Sequence, residues 1–290
     1  MLINQDCKAC MIRQNINAFP EHAAKKDIIS YQQEVRNLIE TCEGISTPQL
    51  AEKVYSLRQN LFGPAKDFSD IKRHFNDLML SLLPYMDQQV KASDDPLKTA
   101  VRYAMVGNYI DFAVLENVDE NKLRIQLDKA ADIVIDSEVL ESFRKEISGA
   151  HHLVYFTDNC GEIVTDRLLI SVLRDINPQL TVTVIVRGKP VVNDATIEDA
   201  GQIGMEEAAH RIIGNGTGMP GNVIGALSPE AMDEVRQADI MVAKGQGNYE
   251  GLSGCGLNIF YLFLCKCDLF TRRFNVPQFT GIMTHEPESR

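Results

Sequence analysis

The sequence predicts an α/β fold: a helical domain over residues 1–95, then over 96–290 a three-layer αβα sandwich with a mainly parallel, Rossmann-like sheet. Two observations predict it. The first 95 residues are rich in Gln, Lys, Glu and Leu at helical spacing and hold no alternating β-branched run. From about residue 150, short apolar, β-rich runs alternate with helical segments, the texture of parallel strands buried on both faces.

In chain order, Ile28, Ile29, Val35, Leu38 and Ile39 fall on one helical face. Thr47 followed by Pro48 reads as an N-cap and first helical position, opening a helix through Leu57. Residues 70–83 form an amphipathic helix; after a polar stretch at 92–95, helices are expected over 96–115 and 121–131. Strands are expected at 153–157, 181–186 and 239–243, with a fourth inside 259–265, and helices at 162–176 and 229–238 separate them. The chain carries no internal repeat.

With 44% hydrophobic and 24% charged residues, the composition is that of an ordered globular protein. A formal net charge of -11 argues against nucleic acid or an anionic membrane as partner. An anionic substrate would need local positive charge, most simply from a bound metal ion. Residues 1–14 lack the apolar core of a signal peptide, and the longest apolar stretch, 259–265, is too short to span a bilayer. Seven cysteines, an odd number without a secretion signal, point to free thiols and a cytoplasmic location.

In parallel sheets, ligands bind beyond the carboxyl ends of the strands. There the first strand delivers Asp158, Asn159, Gly161 and Glu162; the second delivers Arg187, Gly188 and then Asp194; the third delivers Lys244, Gly245, Gln246, Gly247, Asn248, Tyr249 and Glu250. Three such clusters at one edge mark a site. Asp158, Asn159 and Asp194 offer two carboxylates and an amide oxygen, suited to a hard cation such as Mg²⁺ or Mn²⁺. The Asp158-Asn159 pair is equally suited to capping the helix that begins at Glu162, and spacing alone leaves both roles open. Lys244 could neutralise a phosphate as a point charge, or reach solvent from a turn. Asn108 and Asp111, one helical turn apart, could face one cleft or form an exposed polar face. The 215–221 loop could pass over the site or merely connect. A P-loop and a full dinucleotide-binding pattern are absent. Cys7 and Cys10 with Cys265 and Cys267 could make a four-thiolate zinc site, but the Cys-x-Cys spacing is poor for that geometry. Cys42, Cys255, Cys265 and Cys267 read as buried, unligated thiols.

Cys7 and Cys10 with Gln14, Gly107-Asn108 with Asp111, Asp158-Asn159 with Gly161-Glu162, Asn193-Asp194, and Lys244-Gly245 through Glu250 follow one another in this order. The set resembles the damage-control phosphatases, long catalogued as a domain of unknown function, in their prokaryotic, cysteine-bearing branch. The resemblance runs nearly end to end, loosening over 274–290. It implies hydrolysis of phosphate esters, sugar phosphates or damaged phosphometabolites, with a divalent metal ion (Mn, Mg, Co or Ni) held by Asp158, Asn159 and Asp194. It also implies catalytic roles for Asp158, Lys244 and Glu162, with Lys244 as the phosphate contact and Asn108 and Asp111 lining the cleft; together with the strand-end clusters, substrate contacts are expected among Asn108, Asp111, Arg187, Gly188, Gly245 and Asn248. The attacking group would be water or Asp158 itself. Two alternatives are a non-catalytic binder of phosphorylated metabolites and an S-adenosylmethionine-dependent carboxyl methyltransferase, although Asp158-Asn159 stands where the latter needs a glycine-rich loop.

Overall fold

Along the central strands alternate apolar side chains point to opposite faces and all are buried, so the sheet needs a helical layer on each side. The computed structural model describes residues 1–64, 66–110 and 120–288. In chain order the elements are α1 (Gln5–Asn15), α2 (Lys25–Thr41), α3 (Thr47–Phe62), α4 (Ser69–Ala92), α5 (Pro96–Gly107), α6 (Glu120–Asp128), α7 (Ser137–Gly149), β1 (His152–Phe156), α8 (Glu162–Ile176), β2 (Thr181–Val186), α9 (Ile197–Gln202), β3 (Arg211–Gly214), α10 (Pro229–Gln237), β4 (Ile240–Lys244), α11 (Gly245–Leu252), β5 (Ile259–Leu264), α12 (Asp268–Phe274) and β6 (Gly281–Glu286).

The strand order is β3-β2-β1-β4-β5-β6, parallel throughout except for β6, which runs antiparallel to β5. Chain order reverses between β1 and β4. The crevice beyond their carboxyl ends is therefore the switch point of the sheet, where ligands of such folds bind. Leu153, Tyr155, Val182, Val184, Val242 and Leu262 pack with α4, α5, α7 and α8 on one face. Val154, Phe156, Met241, Ala243, Tyr261 and Phe263 pack with α10, α11 and α12 on the other. Helices α1, α2 and α3 close around a smaller core of their own, made by Met11, Tyr31, Val35, Ile39, Leu50 and Val54.

Several boundaries differ from the sequence expectation for identifiable reasons. Ser46, not Thr47, caps α3, in a capping box with Gln49. Helix α4 continues to Ala92 straight through Pro84, which the sequence pattern reads as a stop. Helix α5 ends at Gly107, where the Asn108 N–H turns back to the Met105 and Val106 carbonyls, so Asn108 caps the helix and is not on it. Residue Asp111 lies outside the described residues. All seven cysteines are unpaired, and no described helix is long and apolar enough to cross a membrane.

Candidate active site

The chain leaves β1 at Thr157 and enters α8 through Gly161, which takes φ 70° and caps the helix with no side-chain bond. Asp158 and Asn159 are thus not the helix cap. Gly161 donates its N–H to Asn76 Oδ1 on α4 at 2.6 Å, which pins the turn. The loop after β2 is tied alongside: Asn159 and Asp194 form an isolated bridge, and Ala195 N–H donates to the Asp158 carbonyl at 2.8 Å. Asp158, Asn159 and Asp194 are thereby brought to one spot.

The donors around the trio fix which atoms it presents. The Asn159 amide donates to Asp158 Oδ2 at 2.9 Å and to Glu162 Oε2 at 2.8 Å. With its NH₂ committed to carboxylates, the carbonyl oxygen is the ligand atom left to it. Asn108 donates to the same two acceptors, Asp158 Oδ2 at 3.1 Å and Glu162 Oε2 at 2.9 Å, and accepts from the Leu264 N–H at 3.1 Å. Arg187 donates from Nε to Asp194 at 2.5 Å and from Nη2 to Asp158 Oδ1 at 3.3 Å, with its side chain 1% exposed.

The other residues singled out from sequence stand behind the trio. Lys244 is fully buried, and its three N–H groups donate to Ala104 O at 2.8 Å, Glu162 Oε1 at 2.9 Å and Asp166 Oδ1 at 2.6 Å. Where the sequence reading expects a phosphate contact, the three donors of Lys244 are spent inside the protein. Burial disfavours its charge, but Asp166 and Glu162 outweigh burial and raise the ammonium pKa. Burial pushes the Asp166 carboxyl up to about 7, opposed by Lys244. Glu162, completely buried, accepts from Asn108, Asn159 and Lys244, and so fixes the two amides from behind. Asn248 is buried and donates to Thr157 O and Lys244 O at 3.1 and 2.7 Å while accepting from Asn222; it ties β1, β4 and the 222 loop together. The Gly188 N–H donates to Asn215 Oδ1 at 2.8 Å, and a Cβ there would lie 2.4 Å from the Gly216 nitrogen, so glycine is required by a neighbouring loop and not by a ligand. At Gly245, φ is +80° and a Cβ would lie 1.9 Å from Asp158 Oδ2. That glycine makes room for the carboxylate.

A family model described as the damage-control phosphatase ARMT1-like domain matches residues 3–281. The chain belongs to the damage-control phosphatase family. Among relatives, a damage-control phosphatase of Archaeoglobus fulgidus is 34% identical over 78% of this chain and 78% of its own. Another, from Pyrococcus horikoshii, is 36% identical over 62% of this chain and 61% of its own. The crystal structure of a DUF89 family protein from Pyrococcus horikoshii superposes with a TM-score of 0.81 at 25% identity, covering 98% of this chain and 99% of that one.

In this damage-control phosphatase family member the trio opens into a cavity of about 440 Å³. Beside Gln246 and Glu250 of the third strand-end cluster, the cavity's walls come from elements the sequence did not connect with the site: Cys10 and Gln14 of α1, Tyr55 of α3 and Arg272 of α12. Arg272 and Asp6 form an ion pair at 2.6 Å between α12 and α1. The motif carrying Gln14 and Glu250 was visible in the sequence, but nothing in it said that α1 folds over the sheet edge. Cys7, Cys10 and Cys267 line the same cavity, whereas Cys265 is buried in the core, so the four thiols do not share one site. Among the described residues no three His, Cys, Asp or Glu side chains are grouped to hold a metal, which leaves the mixed carboxylate-amide trio as the candidate.

Proposed function

We propose that the protein is a divalent-metal-dependent phosphatase that hydrolyses phosphate esters of small metabolites, such as sugar phosphates or damaged phosphometabolites. One observation carries the reading: in a member of the damage-control phosphatase family, the carboxylates of Asp158 and Asp194 and the amide of Asn159 line one cavity at the switch point of the sheet. The all-oxygen donor set suits a hard cation such as Mg²⁺ or Mn²⁺. Charge balance supports the same ion. Asp158, Asp194, Glu162 and Asp166 stand against Arg187 and Lys244 in one bonded cluster, so carboxyl groups outnumber cations there even with Asp166 pushed up to about 7, and a divalent ion would offset the surplus.

Asp158, Asn159 and Asp194 would hold such an ion, and the chemistry it would supply there is Lewis-acid polarisation of the phosphoryl group. The protein's own groups do the rest by position. Arg187 holds the two ligand carboxylates in place and offsets their charge. Glu162, fixed by Lys244, holds Asn108 and Asn159. Asp158 is clamped at both oxygens, by Asn108 and Asn159 on Oδ2 and Arg187 on Oδ1, so it is a ligand poorly placed to swing onto phosphorus. Water is the attacking group, in line with the departing oxygen. The seven unpaired thiols support a cytoplasmic setting. Replacing Asp158 or Asp194 with Asn is expected to lower metal-dependent hydrolysis of 4-nitrophenyl phosphate by at least about 100-fold. Full turnover in both variants, with metal still bound, would overturn the assignment.

A further inference from the structure

A phosphate ester of an alcohol is slow to break because its leaving group departs as a basic alkoxide. A carboxylic acid placed to give that oxygen a proton contributes about 10²–10⁴-fold. The residues described so far hold the phosphoryl side of the reaction and provide no such acid. Asp158 and Asp194 are ion-paired to Arg187, and Glu162 and Asp166 are bonded to Lys244 behind them.

The cavity supplies one. Helix α11 starts directly after β4, and its Gln246, Gly247 and Glu250 fall on one face, i to i+4, which is the face lining the cavity that Asp158, Asn159 and Asp194 also line. Leaving-group atoms must occupy this cavity beyond the phosphoryl site, between α11 and the overlying α1 and α3. No histidine lines it among the described residues. Two other carboxylates, Asp6 and Asp268, are exposed, and Asp6 is paired with Arg272. The Cys7 thiol is pushed up to about 11 by burial and by Glu250, too weak an acid for the task. Glu250 is the sheltered carboxyl.

We propose that Glu250 is the general acid of the reaction, giving its proton to the leaving-group oxygen; the proposal rests on the phosphatase reading above. As the water oxygen bonds to phosphorus, the bond from phosphorus to the leaving oxygen breaks, and that oxygen takes the Glu250 proton. The proton shed by the attacking water returns through solvent to Glu250, so one water is consumed and an alcohol and a phosphate are released. The state of the carboxyl agrees with this use. Burial pushes it up to about 7, against the pull of the Thr47 hydroxyl and the Met1 amino group. Cys7 on α1 and the Met1 amino group, which donates to the Glu250 backbone carbonyl at 2.7 Å, lie within its electrostatic reach, and Asp6, Arg13, Asp158, Asp194, Asp268 and Arg272 share the cavity.

The test compares two esters in excess Mn²⁺. 4-Nitrophenolate leaves without a proton, whereas glycerol phosphate must release an alkoxide. Glu250→Gln keeps the volume and removes the acid. It is expected to lose at least about 100-fold in kcat on glycerol phosphate and to stay within about threefold of wild type on the nitrophenyl ester. Equal losses on both esters, or none on either, would overturn the proposal. The wild type gives a second reading that does not depend on the variant folding. Its glycerol phosphate turnover should fall as pH rises through about 7 while nitrophenyl turnover does not, and parallel profiles would count against Glu250. A wild-type protein inert towards both esters with every metal tried would instead bring down the phosphatase reading itself, and the proposal with it.

Discussion

Gly245 shows how tightly single atoms define this site. Its φ of +80° is a conformation that side chains rarely adopt, and its missing Cβ leaves the space that Asp158 Oδ2 fills. Gly245→Ala should therefore cost about 1–3 kcal/mol in backbone strain and also push a metal ligand off its position. A melting curve should record the first effect and a steep loss of metal-dependent turnover the second; an alanine variant with wild-type turnover would refute the account. The sequence marks the position as a glycine where something approaches closely, but it cannot say what approaches. At Gly245 the neighbour is a carboxylate and at Gly188 a loop backbone, where a phosphate was expected at both. The ligand trio itself was legible because acidic and amide side chains at the tips of apolar strands have few other reasons to be there. That Asp158 and Asn159 do not cap α8 is read only from the backbone of Gly161.

At the level of elements, Lys244 ties β4 to α8 and α5. Its ammonium joins Glu162 and Asp166 of α8 to the Ala104 carbonyl of α5, with no part of the side chain exposed. Removing one partner of a buried charge cluster leaves the others uncompensated, so Lys244→Met should destabilise the fold by about 3–5 kcal/mol, measurable by denaturant unfolding. A loss below about 1 kcal/mol would mean that the cluster relaxes or takes up protons freely. Strands β1, β2, β4 and β5 were readable because a strand buried on both faces must be apolar at nearly every position. Strand β3 is four residues long and begins with Arg211, and β6 is an antiparallel edge strand whose second half is only partly buried, so neither carries that signature. Helix α1 was hidden for the opposite reason: only Cys7, Lys8 and Met11 are buried, which leaves almost no apolar stripe to read.

On the scale of the whole molecule, a net charge of -11 and a surplus of carboxylates in the site both favour cation uptake. A ligand that binds only the native state adds stability by mass action, about 2.7 kcal/mol at a hundred times its Kd. Mn²⁺ should accordingly raise the melting temperature of the wild type and leave that of Asp158→Asn nearly unchanged; equal shifts in both would place the cation elsewhere. The three helices at the start of the chain close on a core separate from the two that flank the sheet, yet α1 and α3 wall the cavity. The walls that would choose the cargo are thus drawn partly from α1 and α3, a stretch of the polypeptide apart from the sheet edge. Mutations in the first sixty or so positions can alter which molecules are admitted while the machinery at the sheet edge is inherited unchanged, a division that would let one hydrolytic centre be retargeted from lineage to lineage.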